Sequence, residues 1–144
     1  MVELTPKARA KLMKEQGPGG LQDCVEGICR ALRLDYYHTY SSKKSQPGYP
    51  DMTIVAPLAD GRKRIIFVEL KNQKRRPTED QARWLDHFSE LAMELDDGSV
   101  ESLLWRPMDW FSGEIDRVLR GGDPQSGLWL SKFGVYGDKL SQPR

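Results

Sequence analysis

Apolar and polar positions follow two periods along this chain. Leu21, Val25, Ile28 and Leu32 recur at steps of three and four, which predicts a helix over residues 21–34 with one apolar stripe. Gln22 and Glu26 lie four apart and share a line beside that stripe. An extended aromatic stretch, Tyr36-Tyr37-His38-Thr39-Tyr40, is followed by a polar loop from Ser41 to Pro50. Two strands come next. Residues 51–56 read as the first, ended by Pro57 and an Asp60-Gly61 turn. Residues 64–71 form the most apolar segment, and its β-branched run predicts a central strand. A period of two puts Phe67, Glu69 and Lys71 on one face and Ile66, Val68 and Leu70 on the other.

A basic loop, Asn72 to Pro77, leads into a helix predicted over residues 78–95. Thr78 with Gln81 forms a capping box, and Glu79 and Asp80 suit the positive end of the helix. Trp84, Leu85, Phe88, Leu91, Ala92 and Leu95 are its expected buried stripe. A strand over 100–106, closed by Pro107, and a last helix over 110–120 complete the order. That order predicts an α/β fold with a small mixed central sheet flanked by helices. Three stretches follow from the composition. Residues 1–20 are a polar N-terminal segment ending in Gly17-Pro18-Gly19-Gly20, residues 21–120 are the domain, and 121–144 are a glycine-rich tail carrying Trp129, Phe133 and Tyr136. For the tail's aromatics, packing on the core and a partner surface both stay open.

Composition adds bounds. A chain of 144 residues, 38% hydrophobic with four tryptophans, fits one folded domain. No apolar run approaches the roughly 18 residues of a membrane helix. The start, Met1 to Pro6, lacks the apolar core of a signal peptide, so a cytoplasmic setting is expected, bacterial or viral. Cys24 and Cys29 suit neither a disulfide framework nor a zinc site and read as small core or near-core residues. The net charge of +1 predicts no partner by itself. Its distribution says more, with a solvated charged surface as the alternative to a binding face: residues 62–76 are basic with Glu69 the sole acid, and residues 78–101 invert the balance. One basic stretch on a neutral chain suits a phosphate-binding face.

The candidate chemistry lies in the paired strands. Asp51 follows Gly48-Tyr49-Pro50, and about one hairpin later Glu69 and Lys71 stand on one face, separated by Leu70. Charged groups at the end of an apolar strand cost desolvation unless they are paired or bind something. Carboxylates from adjacent strands, with the Leu70 carbonyl as a third oxygen, offer the donors that a hard divalent cation takes. Such a cation polarises a phosphate oxygen and acidifies water. Lys71 then has two roles open to it, orienting the water or stabilising charge on the phosphate.

The combination Gly48-Tyr49-Pro50-Asp51, Phe67-Val68-Glu69-Leu70-Lys71, Gln81-Ala82-Arg83-Trp84-Leu85 and Leu104-Trp105-Arg106-Pro107 resembles the VRR-NUC family of the PD-(D/E)XK nuclease superfamily. The stretch from His38 to Ser45 is similar too, and the resemblance spans roughly residues 21–120. It implies a restriction-endonuclease-like fold and a Mg²⁺-dependent DNA endonuclease, with Mn²⁺ as a substitute metal. It makes Asp51 and Glu69 metal ligands, Lys71 the catalytic lysine, and Gln81 a residue pointing at the site from the start of its helix. Members of the family usually carry a glutamate early in the first helix, just before a glutamine like Gln22. Here Pro18, Gly19, Gly20 and Leu21 precede it. Glu26, one turn later on the same line, is the expected substitute ligand. Glu15 is the other candidate, provided its segment folds over the site.

DNA contacts are expected from Lys43, Lys44, Lys74, Arg75 and Arg76 on phosphates, with His38, Tyr40 and Tyr49 positioning the strand. Packing is the competing role for Tyr36, Tyr37 and Tyr40. The charges carry no base code, so DNA shape is the expected target. Stand-alone members resemble Holliday-junction resolvases, which implies branched DNA as partner and a homodimer. The alternatives are a flap-cutting or restriction-like enzyme of the superfamily, and an inactive DNA-binding module of the same fold.

Overall fold

A computed structural model describes residues 3–40 and 45–131. Helix α1 (Pro6–Leu12) and helix α2 (Leu21–Ala31) precede strands β1 (Asp35–His38), β2 (Met52–Pro57) and β3 (Lys63–Leu70). Helix α3 (Glu79–Leu95), strand β4 (Val100–Trp105) and the short helices α4 (Pro107–Phe111) and α5 (Glu114–Leu119) follow. The strands form one mixed sheet in the order β1-β2-β3-β4. β1, β2 and β3 run antiparallel in turn, and β4 joins β3 in parallel after the α3 crossover. The fold is therefore α/β, with a four-stranded mixed sheet between helices.

The period of two in β3 sets the two faces. Ile66, Val68 and Leu70 join Met52, Ile54, Leu103 and Trp105 in the main core, against Leu21, Val25 and Cys29 of α2 and Ile115, Val118 and Leu119 of α5. On the other face Phe67 stacks on Phe88 of α3, with ring centroids 3.7 Å apart. β3 is central as its apolar run requires. Burial pushes the Cys29 thiol up to about 12, and both cysteines are free.

Four differences from the sequence reading have identifiable causes. α2 stops at Ala31 because Arg33 takes a left-handed conformation and the Leu34 amide bonds back to the Cys29 carbonyl. The α3 stripe is rotated: Leu85 and Ser89 are buried, while Leu91 and Leu95 are exposed. Segment 128–131 draws the helix that way, since Trp129 Nε1 donates to Asp86 and the Ser131 amide to Ser89 Oγ. The last helix is two, because Pro107 starts α4 as well as ending the strand and the chain breaks at Ser112-Gly113 before α5. Finally, the N-terminal segment packs on the same body. Ala10 is buried, Met13 rests on the core, and the Arg9 guanidinium sits 4.8 Å from the Phe111 ring centre.

The start of the tail has a structural role as well. The Leu104 amide donates to the Gly127 carbonyl and the Trp129 amide to the Ser102 carbonyl, which covers the free edge of β4. Trp129 thus packs on the domain, whereas Phe133 and Tyr136 lie outside the described residues. Among the described residues, no helix is long and apolar enough to cross a membrane.

Candidate active site

Asp51 immediately precedes β2. Continuing the register that pairs Met52 with Val68 sets Asp51 opposite Glu69. Asp51 Oδ2 accepts a hydrogen bond of 2.8 Å from the Leu70 amide, which fixes its carboxylate at the end of β3. Lys71 lies one residue past the strand, and its Nζ is 3.1 Å from Glu69 Oε2. Both Glu69 and Lys71 are almost fully buried, at 1% and 3% exposure. The sequence places these three residues at one strand end, and the structure brings them together.

The electrostatics are those of an unfinished charge balance. Burial, then the nearby charge of Asp51, pushes Glu69 up to about 8, against the pull of Lys71. Burial also raises Asp51, opposed by the Leu70 amide and by Lys71. Glu69 Oε1 is buried with no hydrogen-bond partner. One lysine thus faces two carboxylates that burial drives toward protonation, and a polar oxygen is left over.

Glu15 lies beside this pair. The chain reverses between α1 and α2 so tightly that a Cβ on Gly20 would stand 3.0 Å from the Gln16 and Lys14 backbone. The reversal lets the Lys14 and Glu15 carbonyls accept from the Leu21 and Gln22 amides, which satisfies the first turn of α2 without a side-chain cap. The Glu15 side chain then crosses to the loop after β3. Its Oε2 accepts from the Asn72 amide at 2.8 Å and its Oε1 from Arg75 Nη1 at 2.9 Å. Its charge contributes to raising Asp51.

A cleft of about 530 Å³ opens over these groups, lined by Lys14, Glu15, Gln16, Asp51, Glu69, Leu70, Lys71, Asn72, Arg75 and Gln81. Gln81 holds its capping role, with Oε1 accepting from the Thr78 amide, and also lines the cleft. Both expected roles of Gln81 are geometrically compatible.

Glu26 does not join the group. Its carboxylate accepts from Gln22 Nε2 and from the Tyr36 hydroxyl, each at 3.1 Å, and Arg30 donates to the same hydroxyl. It is held against β1 by its own helix face, away from the cleft lining. Of the two acids expected as substitutes, Glu15 lines the cleft and Glu26 does not. Glu15 depends on a long-range fold-back that helical spacing does not encode. Lys14 and Gln16 enter the cleft by the same route, and the glycine cluster after them was their sole sequence signal.

The basic loop after Lys71 is tethered. Arg106 Nη1 donates to the Asn72 and Arg75 carbonyls, each at 2.7 Å, and Gln73 Oε1 accepts from the Met108 amide. Asn72 Oδ1 accepts from the Lys74 and Arg75 amides. Lys74, Arg75 and Arg76 project to solvent from this frame, with Arg75 turned onto Glu15. Tyr49 is mainly a packing residue, edge-on to Phe67, Trp84 and Phe88. His38 contacts the Tyr40 ring at 4.7 Å. Lys43 and Lys44 lie outside the described residues.

Among the described residues, no group of three or more His, Cys, Asp or Glu side chains is arranged to hold a metal ion. The donors the structure places at the site are the Asp51 and Glu69 carboxylates, with Leu70 beside them in the cleft lining. Mg²⁺ keeps several of its waters and is commonly bound through one or two carboxylates, so this set fits it better than a cation that needs a full protein cage. The crowded Asp51 and Glu69 carboxyls, both raised by burial and with the charge of Asp51 disfavouring that of Glu69, are what a cation would relieve. No family model, curated protein or solved structure matches the chain.

Proposed function

We propose that this chain is a metal-dependent DNA endonuclease of the VRR-NUC kind, with a restriction-endonuclease-like arrangement of its α/β sheet. One observation carries the reading: the buried Glu69–Lys71 pair at 3.1 Å, with Asp51 across the strands, at the floor of an open cleft. A buried ion pair is a poor source of stability, so its place under an open cleft argues for chemistry.

In this reading Asp51, Glu69 and the Leu70 carbonyl hold Mg²⁺, and Glu15 supplies the further acid at the rim. When bound, the ion supplies positive charge that polarises a phosphate oxygen and acidifies water. Lys71 holds its ammonium beside the reacting phosphate, where it orients water or stabilises the charge that develops. A water oxygen bonds to phosphorus as a P–O ester bond breaks, leaving one phosphate end and one hydroxyl end. Lys74, Arg75 and Arg76 contact neighbouring phosphates, and engaging a phosphate requires Arg75 to release Glu15. The proposed substrate is branched DNA such as a four-way junction. Symmetric cutting of two strands requires two sites, which a homodimer supplies.

The test is incubation with a synthetic four-way junction, a flap and a plain duplex, in Mg²⁺, Mn²⁺ or EDTA. Metal-dependent symmetric nicks confined to the junction are expected. Cleavage of the flap or the duplex instead would point to a different nuclease of the same superfamily. Absence of metal-dependent cleavage on every substrate would sink the enzyme reading. A monomer mass in light scattering, both free and with junction present, would refute the dimer.

A further inference from the structure

The cleft over Asp51 has a second lobe of a different character. It has a volume of about 290 Å³ and shares Gln16, Asp51 and Gln81 with the charged lobe. Its other walls are Thr39, Tyr40, Tyr49 and the Gln46-Pro47-Gly48 turn. Among its described lining residues Asp51 alone is charged, whereas the first lobe is lined by Lys14, Glu15, Asp51, Glu69, Lys71 and Arg75.

The neutral lobe is built on fixed parts. Gly48 has a φ of +91°, and a Cβ there would fall 2.5 Å from the Asp80 backbone, so the turn rests directly on the start of α3. Trp84 Nε1 donates to the Pro47 carbonyl at 3.1 Å, and Tyr49 wedges against Trp84 and Phe88 beneath it. On the opposite wall, the Thr39 hydroxyl donates to the Pro50 carbonyl at 2.8 Å and the Thr39 amide to the Asp51 carbonyl. Tyr40, next in sequence, is 73% exposed at the rim and rests against the His38 ring. A large, exposed aromatic ring beside amide and hydroxyl groups is an arrangement that stacks a heterocycle and bonds its edge.

We propose that this lobe takes one unpaired nucleobase of the DNA strand whose phosphate lies over Asp51 and Glu69. The division of the cleft matches the division within a nucleotide: charge where the phosphate lies, neutral amides and an aromatic ring where the base lies. The volume, about 290 Å³, is large enough for one base. A base inside a duplex is not free to enter, so the lobe selects strands with an unpaired nucleotide at the cut, as at a branch point. The inference rests on the nuclease reading and names the feature of the substrate that the site recognises.

Tyr40 is exposed, so its replacement leaves the core intact. The test uses the full chain with Ca²⁺ in place of Mg²⁺, and again in EDTA. Fluorescence anisotropy is read with a labelled single-stranded 12-mer, a four-way junction and a blunt duplex. Tyr40→Ala is expected to weaken the single strand and the junction about tenfold or more, and the blunt duplex by less than twofold. Tyr40→Trp is expected to retain wild-type affinity. In 12-mers carrying a single 2-aminopurine at successive positions, one or two positions should be quenched on binding, and Tyr40→Ala should abolish that quenching. Equal loss of affinity on all three substrates, or quenching unchanged by Tyr40→Ala, overturns the base lobe and leaves the nuclease reading standing. Absence of binding to any of the three oligonucleotides overturns both.

Discussion

Replacing Glu69 with glutamine is expected to stabilise the metal-free protein at pH 8 while removing its response to metal. Glu69 is 1% exposed and its pKa is pushed up to about 8 from an ordinary 4.5, first by burial and then by Asp51. For an acid raised in this way, the native state is favoured below the ordinary value and loses that advantage as pH rises through the folded value. The window is therefore pH 4.5 to 8, with stability falling upward. At 1.36 kcal/mol per pH unit the ceiling is about 5 kcal/mol. Asp51 shares the protonation with Glu69, so about 2 kcal/mol is expected at pH 8. The glutamine side chain keeps the shape of the acid, and its carbonyl oxygen can still accept from Lys71. For a chain of this size about 2 kcal/mol shifts Tm by about 5 °C. Thermal melts in EDTA at steps from pH 5 to 8 read this directly, with wild type falling relative to Glu69→Gln as pH rises. Mg²⁺ or Mn²⁺ at about 100 times Kd should return about 2.7 kcal/mol to wild type and almost nothing to the variant. Parallel pH profiles for the two proteins in EDTA would refute the electrostatic argument. A wild-type Tm that ignores metal would refute the ion site.

Further outcomes follow from individual contacts. Glu15→Gln is expected to weaken metal-dependent cleavage about tenfold, whereas Glu26→Gln leaves it unchanged, as read by initial rates across a Mg²⁺ titration. Gly48→Ala puts a methyl 2.5 Å from the Asp80 backbone at positive φ, so a loss of about 2 kcal/mol or more is expected in urea unfolding. Burial pushes Glu101 up to about 7, with Arg64 opposing and Asp123 adding to the rise. Stability held below about pH 4.5 is therefore lost as pH rises through 7, and Glu101→Gln should flatten that slope in melts across the same range. Glu101 pairs with Ile66 and Glu69 with Leu104, at different points along β3, so the two variants should act additively.

Local periodicity made half of the site legible. Alternation in β3 put Glu69 and Lys71 on one face, and a hairpin-length gap set Asp51 across from them. Those relations hold because register in a buried antiparallel pair is fixed by which face is apolar. The capping box of α3 was equally local, since Thr78 and Gln81 find each other within one turn. The rotation of α3 was not legible. Leu91 and Leu95 are better apolar residues than Ser89, yet Ser89 is buried because the segment around Trp129 and Ser131 docks on that side. A tail about 40 residues downstream leaves no mark on the helix's own pattern.

The third acid shows the same limit with more consequence for chemistry. Helical spacing favoured Glu26, which shares a line with Gln22, and that line does exist: Gln22 donates to Glu26. The line leads to Tyr36 on β1 and not to the cleft. Glu15 reaches the site because three separate parts cooperate. The tight turn at Gly20 returns the segment to the start of α2, α1 anchors it through Ala10 and Arg9, and the Asn72 amide receives its carboxylate. Arg106 in turn holds the carbonyls of Asn72 and Arg75, so the loop that receives Glu15 is positioned from the start of α4. Asp51 and Glu69 are placed by the pairing of β2 with β3. Glu15 and Arg75 sit on loops and are held by each other at 2.9 Å. In the proposed reading, Asp51 and Glu69 hold the ion, and the loop-borne Glu15–Arg75 pair parts when a phosphate enters.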